Sequence, residues 1–498
     1  MVALKSITKS KIVCTLGPAS STPEMIKALA ERGMDIARLN FSHGTQESKE
    51  ALFKLIRDTC PDLGIMTDIQ GPKIRIGQIE GEGVQLNVNQ KVTVTSDEIN
   101  GNKDRFTVSY NKLPKEAKPG DLIFINDGLV CLRVDSTAGN DIKCTVKVGG
   151  FISSKKGVNL PNTEISIRVP TPKDVEDLKL IAKLDPEYLS ISFVQDANDI
   201  QRIKQIMKDN GNDTVKVIAK IERPAALKNF DAILHFSDGI MVARGDLGVE
   251  VPFEKLIPAQ KMMVKKANIA GKPVIVATQM LESMTNSPFP TRAEVSDVYN
   301  AIEDGADAVM LSAETAAGKY PMQAVEAMER IIRVSEAHIP IRSPDDYDSD
   351  EESNSEIIGH LVHDAAKEFY DICRTHTSSC QEESEIPHVK ILVLTHSGLS
   401  ARMVSKYRPG VPIIGVTSFT KTAREMRLVW GVESVMIDGI DDEPDTFHKI
   451  QKSARTALES NFIDEDDTLI IAGNMNYMPA KTNMLSVFNV KDILNSMK

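Results

Sequence analysis

Polar and charged residues follow most of the apolar runs between residues 11 and 312, at the point where each run ends. The residues at these positions are Arg38, Asn40, Ser42, Asp68, Lys220, Glu222, Arg244, Gly245, Asp246, Thr278, Gln279, Ser312 and Glu314. A single charge that flanks an apolar run usually marks only the point where the chain reaches solvent. Reactive residue types at the ends of most runs are much less common by chance, and they predict one shared site.

Lys220 and Glu222 are two positions apart, so in a β-strand their side chains share one face. Glu222 and Asp246 would supply two hard oxygen ligands, which suits Mg²⁺ because that ion usually binds one or two carboxylates plus water and substrate oxygens. A metal ion with a lysine and an arginine is the equipment for phosphoryl transfer, in which developing negative charge must be neutralised. The alternative explanation of Lys220 and Glu222 is a structural ion pair.

Three further segments have the composition of anion-binding loops. Gly245 and Asp246 would present backbone N–H groups at a helix start, Lys155 and Lys156 lie in SSKKGVNLP, and THSGLS (395–400) follows an apolar run and opens a helical pattern. Each also has an ordinary explanation: a strand-to-helix turn, a solvated pair of charges and a capped helix start.

These residues need a scaffold that brings many strand ends together. Eight runs are rich in Val and Ile and apolar on both faces, as buried parallel strands are: 11–17, 35–41, 65–69, 188–194, 216–222, 239–244, 273–279 and 307–312. Helix-period segments such as 197–210 and 290–305 lie between most of them. Eight repeats of strand then helix predict an α/β fold, a closed (β/α)8 TIM barrel with its site at the carboxyl ends of the strands.

One connection is too long for a simple crossover. About a hundred residues separate the third run from the fourth, and much of this stretch alternates apolar and polar residues between turn signals. We therefore predict an all-β lid domain, a small β-barrel, inserted at 71–168 with Pro72 and Pro170 near its ends. The catalytic barrel is then formed by residues 1–70 and 169–340.

A polar, acidic stretch at 343–356 follows the barrel and is predicted as a linker or exposed loop. Four more apolar runs alternate with helical patterns, at 389–395, 411–417, 432–438 and 468–473. Residues 341–498 are therefore predicted to form a C-terminal open α/β domain with a mainly parallel sheet.

Composition limits the function classes. The 498 residues carry 59 Lys and Arg against 70 Asp and Glu, a formal charge of −11, which argues against a protein that binds nucleic acid mainly through phosphates. No run approaches the roughly 18 apolar residues of a membrane span. The six cysteines show no disulfide or metal spacing, and no secretory signal pattern begins the sequence. We expect a reduced, cytoplasmic protein with no membrane or nucleic-acid partner.

Seven motifs together resemble those of the pyruvate kinase family. They run in order over nearly the whole chain: KIVCTLGPAS (11–20), ARLNFSHG (37–44), AKIE (219–222), MVARGDLGVE (241–250), ATQMLESM (277–284), PTRAEVSDV (290–298) and SAETAAGKYP (312–321). The family's architecture, a (β/α)8 barrel with an inserted β domain and a C-terminal α/β domain, agrees with the organisation predicted above.

The resemblance implies the last step of glycolysis, in which phosphoenolpyruvate and ADP give pyruvate and ATP with Mg²⁺ or Mn²⁺. By motif, Glu222 and Asp246 would bind the metal, and Lys220 would stabilise the phosphoryl group in flight. Arg38 would bind the phosphate of the substrate, and its carboxylate would be bound by Gly245, Asp246 and Thr278. A water-mediated proton relay would use Thr278, Ser312 and Glu314. ADP or ATP would be bound by Asn40, His43, Arg75 and Lys156. Members are usually tetramers, so a homotetramer is expected.

The chain departs from the family at its monovalent-cation pocket. The family's potassium site matches Asn40, Ser42, Asp68 and the backbone of Ile69, and potassium-dependent members have Thr and Glu where this chain has Ile69 and Lys73. A lysine ammonium can supply the positive charge that K⁺ supplies elsewhere, and it would repel K⁺. We predict activity without potassium; the alternative is that Lys73 points to solvent.

A second departure concerns regulation. THSGLS resembles the family's sugar-phosphate effector loop and keeps Thr395, Ser397, Gly398 and Ser400, but His396 and Leu399 replace cationic residues that are frequent there. The segment 473–483 also lacks the usual Trp and Gly-rich loop. We therefore expect a regulatory C-terminal domain that is not controlled by fructose 1,6-bisphosphate, with another phosphorylated effector or none.

Two rival functions fit parts of the pattern. A Mg²⁺-enolate lyase or aldolase could use Glu222, Asp246 and an arginine, but it would need neither the inserted lid nor Lys220. A catalytically silent ligand sensor on this fold is the other rival, and it is disfavoured because every catalytic position is occupied. ADP-dependent pyruvate formation separates all three.

Overall fold

The chain is described here from a computed structural model, which covers residues 8–347, 353–376, 388–474 and 482–496. It begins with three strands that alternate with two helices, β1 Lys11–Thr15, α1 Pro23–Glu31, β2 Met34–Asn40, α2 Gln46–Thr59 and β3 Gly64–Ile69. Apart from the last residue of β2, these strands are buried throughout, as the apolar runs predict.

An all-β segment follows β3. Its elements are β4 Val84–Leu86, β5 Lys91–Thr95, β6 Arg105–Thr107, α3 Leu113–Glu116, β7 Leu122–Ile125, β8 Val130–Ala138, β9 Asp141–Val148, β10 Gly150–Ile152 and β11 Val158–Asn159. They form a six-stranded sheet of order β11-β7-β8-β9-β5-β6 and a two-stranded sheet of β10 and β4.

The strands of this insertion pair into two sheets, and the description of the insertion as a small β-barrel stays a prediction. The segment around residues 75–79 contributes only isolated bridges, from Arg75 to Gly157, Ile76 to Val108 and Ile79 to Gly101, and so it does not join the two ladders into one closed sheet. The inward-facing side chains nevertheless pack into one core, which includes Ile76, Phe106 and Leu132.

After the insertion, the chain again alternates parallel strands with helices. The elements are α4 Pro172–Leu184, β12 Tyr188–Ile191, α5 Ala197–Asp209, β13 Lys216–Ile221, α6 Pro224–Lys228, α7 Phe230–Phe236, β14 Gly239–Ala243, α8 Arg244–Glu250, α9 Phe253–Ile269, β15 Val274–Ala277, α10 Arg292–Asp304, β16 Ala308–Leu311, α11 Ala313–Ala316 and α12 Pro321–His338. Capping boxes built on Thr45, Thr171, Asp196 and Thr291 start four of the helices, α2, α4, α5 and α10.

Eight strands close into one parallel barrel of order β1-β16-β15-β14-β13-β12-β3-β2. All eight lie within the predicted apolar runs or within one residue of them, which confirms the predicted TIM barrel. Because every strand runs the same way, the residues that follow the strands meet at one end of the barrel.

The last part of the chain forms the predicted open α/β domain. Its elements are α13 Asn354–His376, β17 Val389–Leu394, α14 Leu399–Lys406, β18 Ile413–Thr417, α15 Thr420–Met426, β19 Val432–Met436, α16 Thr446–Glu459, β20 Thr468–Gly473, β21 Met484–Asn489 and α17 Val490–Asn495. The sheet order is β19-β18-β17-β20-β21, and the edge strand β21, which the sequence reasoning missed, is antiparallel to β20.

The predicted linker is only partly described. A 3-10 turn at Pro344–Tyr347 and the first turn of α13 fall within 343–356, whereas residues 348–352 lie outside the described part of the chain. The domain boundaries stay predictions. Among the described residues, no helix combines the length and the apolarity that crossing a membrane requires.

The C-terminal domain packs against the amino ends of the barrel strands, opposite the predicted site. Leu428 is fully buried in a cluster with Tyr188 and other residues of the barrel interior, and the Tyr188 hydroxyl donates to the backbone oxygen of Glu425. Charged pairs join the same surfaces, with Arg408 2.9 Å from Asp307 and Lys11 3.3 Å from Glu433.

Glu425 is a buried acid at this interface, and its replacement tests the interface energetics. Burial raises the pKa of Glu425 to about 7, a shift that Lys216 opposes. Because its pKa is raised in the folded state, the contribution of Glu425 to the free energy of unfolding is fully present below the ordinary carboxyl pKa and is lost as the pH rises through about 7. In wild type this loss should be on the order of 1–3 kcal/mol between about pH 5 and about pH 8, and Glu425→Gln should abolish it.

Thermal unfolding of wild type and variant at both pH values measures this difference. Glu459→Gln, at an exposed glutamate of the same domain, is the matched control. An equal pH-dependent loss of stability in wild type and Glu425→Gln would contradict the assignment.

Candidate active site

The ammonium group of Lys220 lies at the centre of the strand ends. Its Nζ is 2.7 Å from the Ser192 hydroxyl, 3.0 Å from Glu222 Oε1 and 3.4 Å from Asp68 Oδ1. Burial acts to lower the pKa of Lys220, but the Asp68 and Glu222 carboxylates outweigh it and hold the pKa above the ordinary lysine value. The buried lysine is therefore charged, and it is held by groups from three neighbouring strands.

Arg38 provides a second buried cation beside Asp68. Its Nε donates to Asp68 Oδ2 at 2.8 Å, and its NH1 donates to the Thr15 hydroxyl at 2.8 Å. Burial acts to raise the pKa of Asp68, but Arg38 and Lys220 together hold it below the ordinary value. Asp68 thus stays ionised and fixes the position of both cations.

Glu222 is buried next to a second carboxylate. The Phe193 backbone N–H donates to Glu222 Oε2 at 2.7 Å, and Lys220 occupies the other oxygen. Burial raises the pKa of Glu222, Lys220 opposes the rise and repulsion from Asp246 adds to it. Two neighbouring carboxylates that repel each other favour a cation between them.

Asp246 forms an ion pair with Lys73, which lies in the segment that leads into the insertion. Lys73 Nζ is 3.2 Å from Asp246 Oδ1, and the two side chains are 29% and 23% exposed. The alternative expectation that Lys73 points to solvent is therefore wrong. Its ammonium is held by the carboxylate that the sequence assigns to the metal.

Thr278 follows β15 with its backbone in the left-handed region, at φ 68°, which is strained for a β-branched residue. The Gly245 backbone N–H donates to the Thr278 hydroxyl at 2.7 Å, and Arg244 donates to the Thr278 carbonyl at 3.0 Å. Asp297 anchors Arg244 through two contacts of 2.6 Å. The Gly245 amide predicted to face an anion is thus bonded to Thr278.

Glu314 is buried behind this group. It accepts hydrogen bonds from the backbone N–H groups of Ser312, at 2.7 Å, and Leu281, at 3.2 Å. Burial raises the pKa of Glu314 above the ordinary glutamate value. A carboxyl group with a raised pKa is suited to holding a proton.

The predicted nucleotide contacts lie around the rim of the site. Asn40 Oδ1 accepts from the Ser42 backbone N–H at 2.9 Å, and Arg75 NH1 donates to the Lys155 carbonyl at 3.0 Å, while Lys156 is exposed. Burial lowers the pKa of His43, and the positive charges of Lys49, Arg75, Arg38 and Lys73 lower it further. This rim is electropositive, as a polyphosphate site requires.

The candidate effector loop lies in the C-terminal domain. Thr395 and Ser397 follow β17, Gly398 has φ 76° and precedes α14, and Ser400 Oγ is 2.7 Å from the Thr482 hydroxyl. His396 packs edge-on against Phe419, with ring centroids 4.2 Å apart. Most of the neighbouring segment 473–483 lies outside the described residues.

Sequence reasoning missed four residues that organise the site. Ser192 and Phe193 follow β12 and hold Lys220 and Glu222, and Thr15 ends β1 and holds Arg38. The same strand-end rule identifies all three, but no candidate was predicted at the ends of the runs 11–17 and 188–194. The fourth is Glu250, the last residue of α8.

Glu250 joins α8 to the insertion. Its Oε1 accepts from Asn159 Nδ2 at 3.0 Å and from the Leu160 backbone N–H at 3.3 Å, and the residue is 5% exposed. Burial raises the pKa of Glu250, while Arg223 and these hydrogen bonds oppose the rise.

The predicted metal ligands are two carboxylates and not a larger cluster. The described residues contain no group of three or more His, Cys, Asp or Glu placed to hold a metal ion. A cation here would rest on Glu222 and Asp246, with its other ligands supplied by water and substrate, which is the coordination that Mg²⁺ usually has.

Comparison with known proteins gives a consistent result. The family model described as pyruvate kinase, barrel domain, matches residues 7–325, and the model described as pyruvate kinase, alpha/beta domain, matches residues 374–488. A curated pyruvate kinase of Clostridium acetobutylicum is 38% identical over 487 residues, which cover 96% of this chain and 99% of that protein. One of Thermococcus litoralis is 37% identical and covers 97% and 98%.

A solved structure is similar over the same length. The crystal structure of a pyruvate kinase from Cryptosporidium parvum has a TM-score of 0.87 and 34% sequence identity, and the match covers 97% of this chain and 96% of that chain.

Removing the Glu250 carboxylate should loosen the insertion where it meets α8. Loss of one acceptor for two buried donors costs about 1–3 kcal/mol, so amide hydrogen exchange around Asn159 and Leu160 in Glu250→Ala should be about tenfold faster or more. Hydrogen exchange of peptides that cover 156–162 measures the effect. Glu254→Ala, at an exposed neighbour in α9, is the control. Unchanged exchange would contradict the anchoring role.

Proposed function

The chain belongs to the pyruvate kinase family and is a phosphotransferase, and from this premise we propose that it transfers the phosphoryl group of phosphoenolpyruvate to ADP as the last step of glycolysis. We further propose that the reaction requires Mg²⁺ or Mn²⁺ but not K⁺. The observation that carries the proposal is the buried, charged ammonium of Lys220 among Asp68, Ser192 and Glu222.

Lys220 is proposed to stabilise the phosphoryl group during transfer. Negative charge spreads over the equatorial oxygens of that group in the transition state, and a fixed cation in a site shielded from water stabilises it strongly. Arg38, held by Asp68 and Thr15, is proposed to bind the phosphate of the substrate. Both cations are prepositioned, so the site needs little reorganisation during the reaction.

Glu222 and Asp246 are proposed as the metal ligands. Their mutual repulsion, which contributes to the raised pKa of Glu222, leaves negative charge that a divalent cation would compensate. Mg²⁺ or Mn²⁺ held by these two carboxylates would supply Lewis-acid neutralisation of the negative charge on the phosphate.

The carboxylate of phosphoenolpyruvate is proposed to lie against Gly245, Asp246 and Thr278. The hydrogen bond between the Gly245 amide and the Thr278 hydroxyl holds a donor and a hydroxyl side by side, and an arriving carboxylate would compete for that amide. Departure of the phosphoryl group leaves an enolate that must gain a proton. Thr278, Ser312 and Glu314 are proposed to deliver it through water, and burial of Glu314 favours its protonated form.

The nucleotide is proposed to bind at the electropositive rim formed by Asn40, His43, Arg75 and Lys156. A cavity of about 290 Å³ lies beside it, lined by Phe41, Gly44, Thr45, Gln46, Lys49, Lys173, Glu176 and Asp177. The insertion carries Arg75 and Lys156, so its closure over the barrel would bring these cations to the phosphates and exclude water that would otherwise hydrolyse the phosphoryl donor.

Potassium independence is proposed from the charges that already surround the pocket. Asp68 is compensated by Arg38 and Lys220, and Lys73 adds an ammonium where potassium-dependent members have a glutamate. Asn40, Ser42 and the backbone of Ile69 would complete the pocket, but a further cation would be repelled.

Two further expectations belong to the whole enzyme. A cytoplasmic homotetramer is proposed, and large apolar side chains that are exposed in the single chain, Phe253 at 86% and Phe289 at 75%, support burial against another copy. A phosphorylated effector other than fructose 1,6-bisphosphate is proposed for the loop of Thr395, Ser397, Gly398 and Ser400.

Replacing Lys220 tests the central assignment. Lys220→Met should lower kcat for ADP-dependent pyruvate release by about 10³-fold or more, because a fixed cation at the transferring group is lost. The variant should still fold and bind Mn²⁺, since Arg38 still compensates Asp68, although loss of the buried Lys220–Glu222 pair should lower its unfolding temperature. Lys208→Met, at an exposed lysine of α5, is the control. Substantial remaining turnover would refute the role of Lys220.

The potassium proposal is tested by pyruvate release in buffer freed of K⁺ and NH₄⁺. Wild type should be fully active there, and Lys73→Glu combined with Ile69→Thr should become dependent on added K⁺ because the charge at the pocket is reversed. Wild-type activity that appears only with K⁺, or an unchanged cation response in the double variant, would overturn the proposal. No pyruvate formation under either condition by the folded protein would overturn the proposed function.

A further inference from the structure

The insertion is attached to α8 at both of its ends. Lys73, in the segment that enters the insertion, pairs with Asp246 at 3.2 Å. Asn159 and Leu160, at the end of its last strand, bind Glu250 at 3.0 and 3.3 Å. One short helix therefore carries both contacts, one at its beginning and one at its end.

The two carboxylates, Glu250 and Asp246, differ in their burial and in their proposed roles. Glu250 is nearly fully buried, and Asn159 and Leu160 of the insertion donate hydrogen bonds to it. Asp246 is partly exposed and is the proposed metal ligand, yet one of its oxygens is already paired with the Lys73 ammonium. A divalent cation and an ammonium group at one carboxylate repel each other, so the two compete.

We propose that Lys73 is a built-in counter-cation of Asp246, which a divalent cation must displace in order to bind. Lys73 thereby sets the affinity of the site for the metal. It also links metal occupancy to the insertion, because displacement releases the contact at the entry segment while the Glu250 contact remains. The inference rests on the proposed function, since it takes Asp246 and Glu222 as the metal ligands.

The surroundings favour displacement over rearrangement of the ligands. Glu222 needs Asp246 beside it to hold a cation, because each of its oxygens already accepts from one group, the Phe193 N–H or Lys220, and has only its remaining lone pair to offer. Lys73 is 29% exposed and has a flexible side chain with four methylene groups, so its ammonium can move off Asp246 without any movement of the backbone. The pair is therefore the weaker of the two attachments.

Mn²⁺ binding in the absence of substrates tests the proposal, measured on the full-length protein by titration calorimetry and by the paramagnetic resonance signal of free Mn²⁺. Lys73→Met should bind Mn²⁺ about tenfold more tightly than wild type, because the competing charge is removed. Lys73→Arg keeps the charge and should stay within about threefold of wild type. Lys118→Met, at an exposed lysine of the insertion, controls for the change in net charge.

The outcomes separate this inference from the proposed metal site. Asp246→Asn should abolish tight Mn²⁺ binding, and adding Lys73→Met to that variant should change nothing, since the two effects are not additive. If Asp246→Asn abolishes binding but Lys73→Met equals wild type or binds more weakly, the inference is overturned and the metal site stands. If neither Asp246→Asn nor Glu222→Gln changes the affinity, the proposed ligands themselves are wrong.

Discussion

The buried charge of Lys220 is the constraint on which the rest of the site depends. An ammonium group that is almost removed from water is stable only if acceptors surround it. Asp68, Ser192 and Glu222 provide them, and each follows or ends a different strand of the barrel. The closed parallel sheet, with its fixed register, brings these groups to one point, so the charge balance depends on the barrel geometry.

The second organising element is α8, because the same short helix carries a proposed metal ligand and the anchor of the insertion. Asp246 and Glu250 are four residues apart in it, which places them one helical turn apart on one side. Any movement of the insertion therefore bears on the helix that presents Asp246 to the barrel centre. The proposed metal ligand Asp246 and the attachment of the insertion therefore depend on the same helix, α8.

Sequence patterns predicted the fold well where the signal is local. The eight barrel strands are apolar on both faces, and the charged groups that follow them stand out by type. The pairing of Lys73 with Asp246 spans 173 positions and depends on how the insertion folds back, which no local pattern encodes. Ser192 and Thr15 lie near the ends of the fourth and first apolar runs, but neither their type nor their spacing indicates that they hold a cation. The division of the insertion into two sheets likewise depends on contacts between distant segments.

Contacts at the amino ends of the barrel strands connect the C-terminal domain to the site at the carboxyl ends. The Tyr188 hydroxyl is bonded to the Glu425 backbone and its ring packs with Leu428, so the start of β12 is fixed by the C-terminal domain. Four residues later the same chain reaches Ser192, which holds Lys220, and then Phe193, which holds Glu222. A strand buried along its length cannot shift at one end alone, because close packing resists it. The position of the Lys220 ammonium is thus fixed by the C-terminal domain, through β12, as well as by its own ion pairs.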